Sequence, residues 1–589
     1  MCGIFGYTGE FNAVDYVIDG LKHLEYRGYD SAGIAMQTGS GINIIKSPGR
    51  VLILESKARG VYSNCAIGHT RWATHGLPTE ANAHPHYAGK FAIVHNGIIE
   101  NYQDIKKELI QGGAIFHSET DSEVIAHLFD KYYDGKDLLT TMDKVCERLS
   151  GAYAIAVLCS DYPDILLATC KDSPLIIGRS ALGGFVASDM NALQGLADEV
   201  IVISDREYCI VSPDHINCYD NKRDLIEKKR IDISALKARN TKTNYSSHML
   251  SEIYEIPRAI SETINYYEMN GLPDGLLEEL ANIKRVIIVA CGTAHNAGMA
   301  GKCMIEKLVG VPVSVEYASE FRYGDPVLTK DTLVIAISQS GETADTIAAV
   351  RLANSKGIKV LCIANVKGST LTRSSNYVMH TYAGAEIAVA ATKSYNSQLT
   401  ALAIIAAKWS NNVNLIKDLK KLPELAAECI ARSSGEELPY NMFGIAEKVF
   451  FIGRQLDFTV ALEGSLKLKE ITYIMSEGYA AGELKHGTLA LIDKGTPVIT
   501  IITSRAIAGK TMNAIHEVQA RGANVLLITS LPDIVEEAGC KSFIIPASNE
   551  LLMPILSVIP LQFIAHDISM IRGCDPDRPR NLAKSVTVE

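Results

Sequence analysis

A cysteine stands one residue behind the initiator methionine, in Met1-Cys2-Gly3-Ile4-Phe5-Gly6. Trimming of Met1, expected before so small a side chain, would leave a thiol and a free α-amine on one residue. That amine titrates near about pH 8 and could deprotonate its own thiol without a histidine partner. Cys2 would then be a self-contained acyl-transfer centre; otherwise residues 3–7 are a buried strand opening on a small apolar cysteine. Three polar clusters could serve such a nucleophile. His69-Thr70-Arg71-Trp72-Ala73-Thr74-His75-Gly76 carries a guanidinium fork that could grip a carboxylate at two points, or a surface loop arginine. His95-Asn96-Gly97 offers a side-chain amide beside a glycine N–H, two donors for an oxyanion, or an ordinary Asn-Gly turn. Asp121 falls in the first turn of a helix, where its charge suits the dipole with or without a function. Together these parts could hold glutamine by both α-groups and cleave its side-chain amide.

A second set of polar residues lies beyond position 330. Ser338-Gln339-Ser340-Gly341-Glu342-Thr343 follows an apolar strand and opens a helix, so hydroxyls, successive N–H groups and a helix N-terminus converge on a place suited to phosphate. Glu463, Lys467 and Glu470 share one face of a helix expected within 461–479, either as a solvated ion pair or as acid–base groups. His486 sits in a glycine-flanked loop, Gly482-Glu483-Leu484-Lys485-His486-Gly487. The chain ends in Asn581-Leu582-Ala583-Lys584-Ser585-Val586-Thr587-Val588-Glu589, apolar around one amine, where a frayed tail is the plain alternative. A nucleotide loop is excluded: Gly509-Lys510-Thr511 has Ser504 where the motif needs glycine, and Cys291-Gly292-Thr293-Ala294 has a single glycine.

The elements that must position these groups change character along the chain. Up to about residue 230, short apolar strands (3–7, 66–69, 91–95, 153–158, 165–168, 201–204) are broken by glycine turns. Between them a helix is expected over 99–111, and Thr120-Asp121-Ser122-Glu123 reads as a capping box opening another. The result is an α+β layered domain. Residues 220–247 are charged and poor in periodic hydrophobics, a solvated connector with a boundary near 238. Beyond it the chain repeats: Val286-Ile287-Ile288-Val289 matches Val449-Phe450-Phe451-Ile452, 333–337 matches 497–501, and 357–363 matches 522–528, each offset by about 165 residues. Continuous apolar strands alternating with helices are the signature of a doubly wound parallel sheet in tandem. The domain limits read this way are 1–238, 239–425 and 426–579, with a tail at 580–589.

Composition narrows the class. A chain of 589 residues is too long for one core, and a net charge of −10 leaves no electrostatic footprint for nucleic acid or an anionic membrane. Thirteen cysteines without a C-x-x-C pair argue against a disulfide framework or a thiolate zinc site and suit a reducing cytoplasm. No leader-like N-terminus and no 18-residue apolar run are evident; residues 387–409 are broken by Lys393, Ser394 and Asn396.

Residues 1–7, 24–33, 70–76 and 94–101 closely resemble the N-terminal-nucleophile (type 2) glutaminase domains, and within them the hexosamine-forming branch. The paired parallel sheets resemble sugar isomerase (SIS) domains through residues 338–343, 461–470, 480–487 and 581–589, so the likeness spans essentially the whole chain. The resemblance implies an αββα glutaminase followed by two SIS domains, with L-glutamine and D-fructose 6-phosphate as substrates, no cofactor and no metal, and a homodimer. It implies Cys2 as nucleophile, Asn96 and Gly97 as oxyanion hole, and Arg71, Thr74, His75, Gly97 and Asp121 as glutamine contacts, with Trp72 as a gate. On the sugar side it implies Thr293, Ser338, Gln339, Ser340, Thr343, Val389, Lys467, Glu470 and Ala583 around the sugar phosphate. Lys584 would form an imine, Glu470 would move a proton, and His486 of the partner subunit would open the ring. Where this family commonly has serine, Ala294 stands here, which should cost affinity rather than chemistry. Two other readings compete: a glutaminase feeding ammonia to a different acceptor, and a sugar-phosphate sensor whose chemistry has lapsed.

Overall fold

The computed structural model describes residues 2–73, 75–234, 244–435, 438, 440–443 and 445–586, apart from the side chains of Tyr26 and Asn441. The chain divides into two compact units, Met1–Thr241 with Ser585–Glu589, and Lys242–Lys584.

The first unit is built on two antiparallel sheets of eight and seven strands. Strand Gly3–Gly9 lies inside the first, between Cys65–Arg71 and Gly183–Ala187, so the residue after Cys2 is already fixed by a ladder, Gly3 opposite Thr70. Alternation along the strand explains the layers. Ile4, with Ile67 and Val186, joins Val94, Ala156 and Leu166 of the other sheet in the core between the sheets. Phe5 and Tyr7 face the other way, onto Val17 and Leu21 of helix Ala13–Leu24. The glycine at position 20 of that helix is required, because a Cβ there would lie 2.4 Å from the Phe5 ring. Helices Glu123–Tyr132 and Leu138–Arg148 cover the outer face of the second sheet through Val124, Leu128, Phe129, Met142 and Val145. The order helix, sheet, sheet, helix is the expected αββα sandwich.

Several local expectations are corrected. The helix read over 99–111 begins at Tyr102, because Ile99 ends strand Phe91–Ile99, paired to Gly151. That strand also runs straight through His95, Asn96 and Gly97, so no Asn-Gly turn forms. Gly97 holds a φ of +132° inside the strand, and a Cβ there would sit 2.0 Å from the Ala152 carbonyl oxygen. The capping box does not form either: helix Glu123–Tyr132 has no side-chain cap at Ser122. Glu123 turns its carboxylate back to the N–H groups of His117 and Ser118, at 2.8 and 2.7 Å. Part of the charged stretch from 220 is ordered, since Leu225–Ile226 extends one sheet and Ile231–Asp232 the other. Charge there lies on edge strands, where one face is solvated anyway.

The second unit contains two five-stranded parallel sheets with one strand order. In the first, Arg285–Ala290 is flanked by Val313–Tyr317 and Thr332–Ser338, followed by Lys359–Ala364 and Tyr377–His380. In the second, Lys448–Gly453 is flanked by Met475–Ala480 and Pro497–Ile502, followed by Asn524–Thr529 and Lys541–Ile544. The matched segments of the sequence repeat therefore occupy equivalent strands. Both repeats share one core, in which Ile288 and Leu402 belong with Phe451 and Ile559. Helix Leu456–Thr472 ends earlier than its 461–479 pattern suggested, because Tyr473 takes a left-handed φ of +61° and Met475–Ala480 becomes a strand. Helix Met553–Ile571, unremarked in the sequence, is apolar on every side. The stretch Glu550–Ile571 is long and apolar enough to cross a membrane by length and composition, but 94% of its apolar window is buried in the protein, as in a central core helix.

Candidate functional sites

In the first unit, the ladder that fixes Gly3 brings Cys2 beside the end of strand Cys65–Arg71. The half-buried thiol is held by one residue's backbone: Trp72 N–H donates to Sγ at 3.4 Å, and the thiol faces the Trp72 carbonyl at 3.7 Å. Burial pushes the Cys2 thiol above its ordinary pKa, against the pull of the Trp72 N–H and the Arg71 charge, while Asp121 adds to the rise. The Trp72 ring meets Tyr29 edge-on, with centroids 6.0 Å apart. Asn96 donates its side-chain amide to the Cys2 carbonyl at 3.1 Å. Its other end is held by His69, whose Nε2 lies 3.1 Å from Asn96 Oδ1 and 3.0 Å from the His95 carbonyl. Both neighbours are acceptors, so Nε2 carries the hydrogen and the amide has one orientation, NH₂ toward Cys2.

His69 is fully buried and stacks on His84, centroids 4.1 Å apart; His86 and His95 adjoin the stack. Burial holds His69 down to about 3 and lowers His84, His86 and His95 as well, so all four are neutral. Arg71 spends its fork on its own loop, donating to the carbonyls of His75, Gly76 at 3.1 Å and Leu77 at 3.3 Å. The buried Asp121 carboxylate accepts the Ile99 N–H at 2.8 Å and the Ser122 hydroxyl at 3.4 Å. His75 packs edge-on against Tyr102 at 5.6 Å. Cys2, Asn96, Gly97, Arg71, Trp72 and Asp121 thus come together, while Thr74 lies outside the described residues. The role of His69 was not anticipated, although five histidines within 69–95 were a visible signal.

In the second unit, the Ser338–Thr343 loop leaves the carboxyl end of its strand beside the point where strand order reverses, the crevice where open α/β sheets bind ligands. Ser338 Oγ lies 3.0 Å from Thr343 Oγ1 and accepts the Gly341 N–H at 3.1 Å; Ser340 Oγ accepts the Glu342 N–H at 3.2 Å. Gly341 holds a φ of +65°, and a Cβ there would be 2.0 Å from Ser369 Oγ. Helix Ala344–Ser355 follows, its N-terminus facing the loop. The repeat makes a comparison possible. In the second copy the equivalent loop is already filled, because Thr503 N–H donates to the Asp457 carboxylate at 2.9 Å and the Thr503 hydroxyl does likewise. An internal carboxylate sits where the first copy has the Ser338 hydroxyl paired with Thr343 and the Gly341 N–H. Burial lifts Asp457 to about 7, against those hydrogen bonds.

The helix face that could have been solvated is buried. Glu463 and Lys467 are at most 1% exposed. Glu463 accepts Thr293 Oγ1 at 3.1 Å and Asn296 Nδ2 at 2.9 Å; Lys467 donates to Thr293 Oγ1 at 3.0 Å and Glu470 Oε2 at 2.6 Å. Burial raises Glu463 to about 7. Burial also opposes the Lys467 charge, but Glu470 and Glu463 outweigh it and raise Lys467. Lys584 is not frayed: its side chain is 4% exposed and paired with the fully buried Glu386. Val389 N–H donates to the Asp577 carbonyl at 2.9 Å, tying the stretch just before the tail to the segment after Glu386. Glu386 also acts electrostatically on Lys467, which joins the Thr293, Lys467 and Glu470 group to Lys584. Gln339 accepts the Asn365 N–H through its carbonyl at 3.1 Å, and Ala583 is partly buried. Ala294 packs into the shared core at 9% exposure. His486 stands exposed on the turn Glu483–His486, and none of these groups contacts it among the described residues. Glu386 was missed, although a lone acid within Ala383-Gly384-Ala385-Glu386-Ile387-Ala388-Val389 signals a paired buried charge. Among the described residues no group of three or more His, Cys, Asp or Glu is placed to hold a metal.

Known proteins match this arrangement. The SIS domain family matches residues 279–408 and 443–572, and the glutamine amidotransferase domain family matches 69–195. Glutamine–fructose-6-phosphate aminotransferases (isomerising) from Clostridium acetobutylicum and Aquifex aeolicus are 44% and 43% identical to the chain, each over 100% of both sequences. The corresponding protein of Methanosarcina acetivorans is 42% identical over the same full extent. Among solved structures, the C-terminal domain of glucosamine-fructose-6-phosphate aminotransferase from Francisella tularensis aligns with a TM-score of 0.54 at 37% identity, covering 57% of this chain and 99% of that one.

Proposed function

The chain belongs to the glutamine–fructose-6-phosphate aminotransferase (isomerising) family, and from that membership we propose how its residues divide the reaction. Cys2, freed of Met1, attacks the glutamine amide. Asn96 and the Gly97 N–H take the oxyanion, and ammonia leaves with a γ-glutamyl thioester that water cleaves to glutamate. Arg71, Thr74, His75, Gly97 and Asp121 hold the glutamine; Arg71 must exchange its loop carbonyls for the α-carboxylate. Ammonia protonates in bulk water at neutral pH, so it passes through protein interior, gated by Trp72, with the tail as lid.

Fructose 6-phosphate binds with its phosphate on Ser338, Gln339, Ser340 and Thr343, and with Thr293, Val389 and Ala583 along the sugar. His486 of the partner subunit in a homodimer assists ring opening, and Lys584 forms an imine at C2. Ammonia displaces Lys584. Glu470 then carries a proton from C1 to C2, with Lys467 beside the enolamine, and glucosamine 6-phosphate is released. Ala294 removes a hydroxyl contact and weakens sugar binding. We assign the domains to 1–238, 239–425, 426–579 and the tail 580–589, and the location to the cytoplasm. The observation that carries the reading is the burial of a C-terminal lysine against Glu386, in the same unit as the hydroxyl-rich Ser338–Thr343 loop at a helix N-terminus. Incubation with glutamine and fructose 6-phosphate tests it: amino-sugar phosphate should form in step with glutamate. Glutamate without amino sugar would leave a sensor or another acceptor as the better account.

A further inference from the structure

Lys584 does not sit beside one carboxyl group but two, and they are held in opposite states. Glu386 receives four donors: the N–H groups of Thr392 at 2.9 Å and Ser394 at 3.0 Å, the Ser394 hydroxyl at 2.6 Å, and Lys584 Nζ. Burial alone would raise its pKa; Lys584 and the other donors overcome that and hold it down to about 2. Glu252, on helix His248–Tyr254, receives only the N–H groups of Ile387 and, at 3.2 Å, Ala388, both through Oε1. Its Oε2 is buried without a partner. Burial and the neighbouring Glu386 charge lift Glu252 to about 8, against Lys584 and Lys393. The remaining charges around the pair are accounted for: Lys393 is paired with Glu255 at 2.8 Å, Glu255 also with Arg258, and Lys467 with Glu470. At neutral pH the pocket therefore carries one buried anion, Glu386, opposite one buried cation, Lys584.

Imine formation needs the lysine lone pair, yet an ion-paired ammonium has none to give. We propose that Glu386 is the positioning and proton-exchange partner of Lys584, with Glu252, whose Oε2 is buried without a partner, as the second carboxyl group that tunes the exchange. The proposal rests on the imine role assigned to Lys584 above. Lys584 ammonium passes one proton to Glu386; the freed lone pair bonds to the ketose carbonyl carbon while a Lys584 hydrogen moves to the carbonyl oxygen. Glu386 then protonates the resulting hydroxyl, the C–O bond breaks, and water leaves. The nitrogen forms the C=N bond of a protonated imine facing the restored Glu386 carboxylate. Protons balance and no charge is stranded in the dry pocket. Ionising Glu252 would add a second anion beside Lys584, tighten its hold on the proton and slow the step.

Borohydride trapping of the fructose 6-phosphate adduct on Lys584, followed by mass spectrometry of the full-length protein across pH 6 to 9.5, tests this. Glu386→Gln should slow trapping by about 10²-fold, the usual scale of general acid–base assistance, and Glu386→Asp should recover part of it. In the unsubstituted protein trapping should fall above about pH 8 as Glu252 ionises, and Glu252→Gln should abolish that falling limb. Glu252→Gln keeps the proposal falsifiable if Glu386→Gln does not fold. Trapping in the unsubstituted protein with the same falling limb in Glu252→Gln, or with an unslowed folded Glu386→Gln, overturns the proton-exchange assignment alone. Absence of any adduct on Lys584 in the unsubstituted protein overturns the imine reading and this proposal with it.

Discussion

Replacing His69 with phenylalanine removes one hydrogen-bond donor and little else. The ring is fully buried, its Nδ1 has no partner, and the stack on His84 can be kept by another aromatic. What disappears is the Nε2–H shared between Asn96 Oδ1 and the His95 carbonyl. Orphaning buried acceptors costs about 1–3 kcal/mol of stability. The catalytic loss is separable. Without its anchor the Asn96 amide is free to turn its oxygen toward Cys2, and a hydrogen bond of about 1–1.5 kcal/mol no longer selects the productive orientation. That corresponds to roughly a tenfold fall in kcat for glutamine hydrolysis, bounded by the 10²–10³ expected on losing an oxyanion donor outright. Steady-state glutamate release, with kcat and KM resolved and thermal melting run in parallel, measures both effects. Because burial holds His69 down to about 3, the loss should be the same from pH 6 to 8. A folded variant with kcat within twofold of the parent, or a deficit that grows only below pH 6.5, would refute an orienting role for a neutral imidazole.

Other outcomes follow from the same geometry. Cys2→Ala should abolish glutamine-dependent amination while concentrated ammonium restores some product; equal loss with both nitrogen donors would contradict separate half-reactions. Gly341→Ala forces a side chain into a left-handed conformation against Ser369, a strain of about 1–2 kcal/mol, so KM for fructose 6-phosphate should rise about tenfold with glutamine hydrolysis unaltered, as initial rates would show. Acid should undo the first unit. Burial depresses His69, His84, His86 and His95, so the unfolded chain takes up protons near pH 6.5 while the folded one refuses them. Stability is complete above that pH and is lost below it, by up to about 1.4 kcal/mol per pH unit for each histidine. Melting curves identical at pH 7 and pH 5 would dismiss the neutral cluster.

What could be read from the sequence depended on how local the cause was. The parallel strands were legible because sheets covered on both faces need continuous apolar runs, and duplication showed the same runs twice. Their polar loops were legible too, since the Ser338–Thr343 loop combines a hydroxyl set with a strand-to-helix junction. Elements decided by distant partners were not. Asn96-Gly97 looked like a turn because that dipeptide is typical of turns, but Gly97 lies inside a strand, its Cα close against the Ala152 carbonyl across the ladder. Glu123 looked like a capping residue until the preceding loop supplied better donors at His117 and Ser118. Glu463 and Lys467 had the spacing of a surface ion pair, and only the approach of helix Gly292–Val309, carrying Thr293 and Asn296, buries them. Met553–Ile571 escaped notice because a helix surrounded by protein has no polar face to betray its period.

The carboxylate of Glu463 belongs by sequence to one repeat, yet its two neutral partners, Thr293 and Asn296, belong to the other. A tandem duplication usually leaves interchangeable modules; here the copies have grown into obligate halves. Expressed alone, the second copy would hold an acid deprived of its donors, and the first would hold donors deprived of their acid. Grafting either repeat onto a foreign partner would therefore have to carry this knot along with it, and a lineage that shed one copy would lose the other's stability in the same stroke.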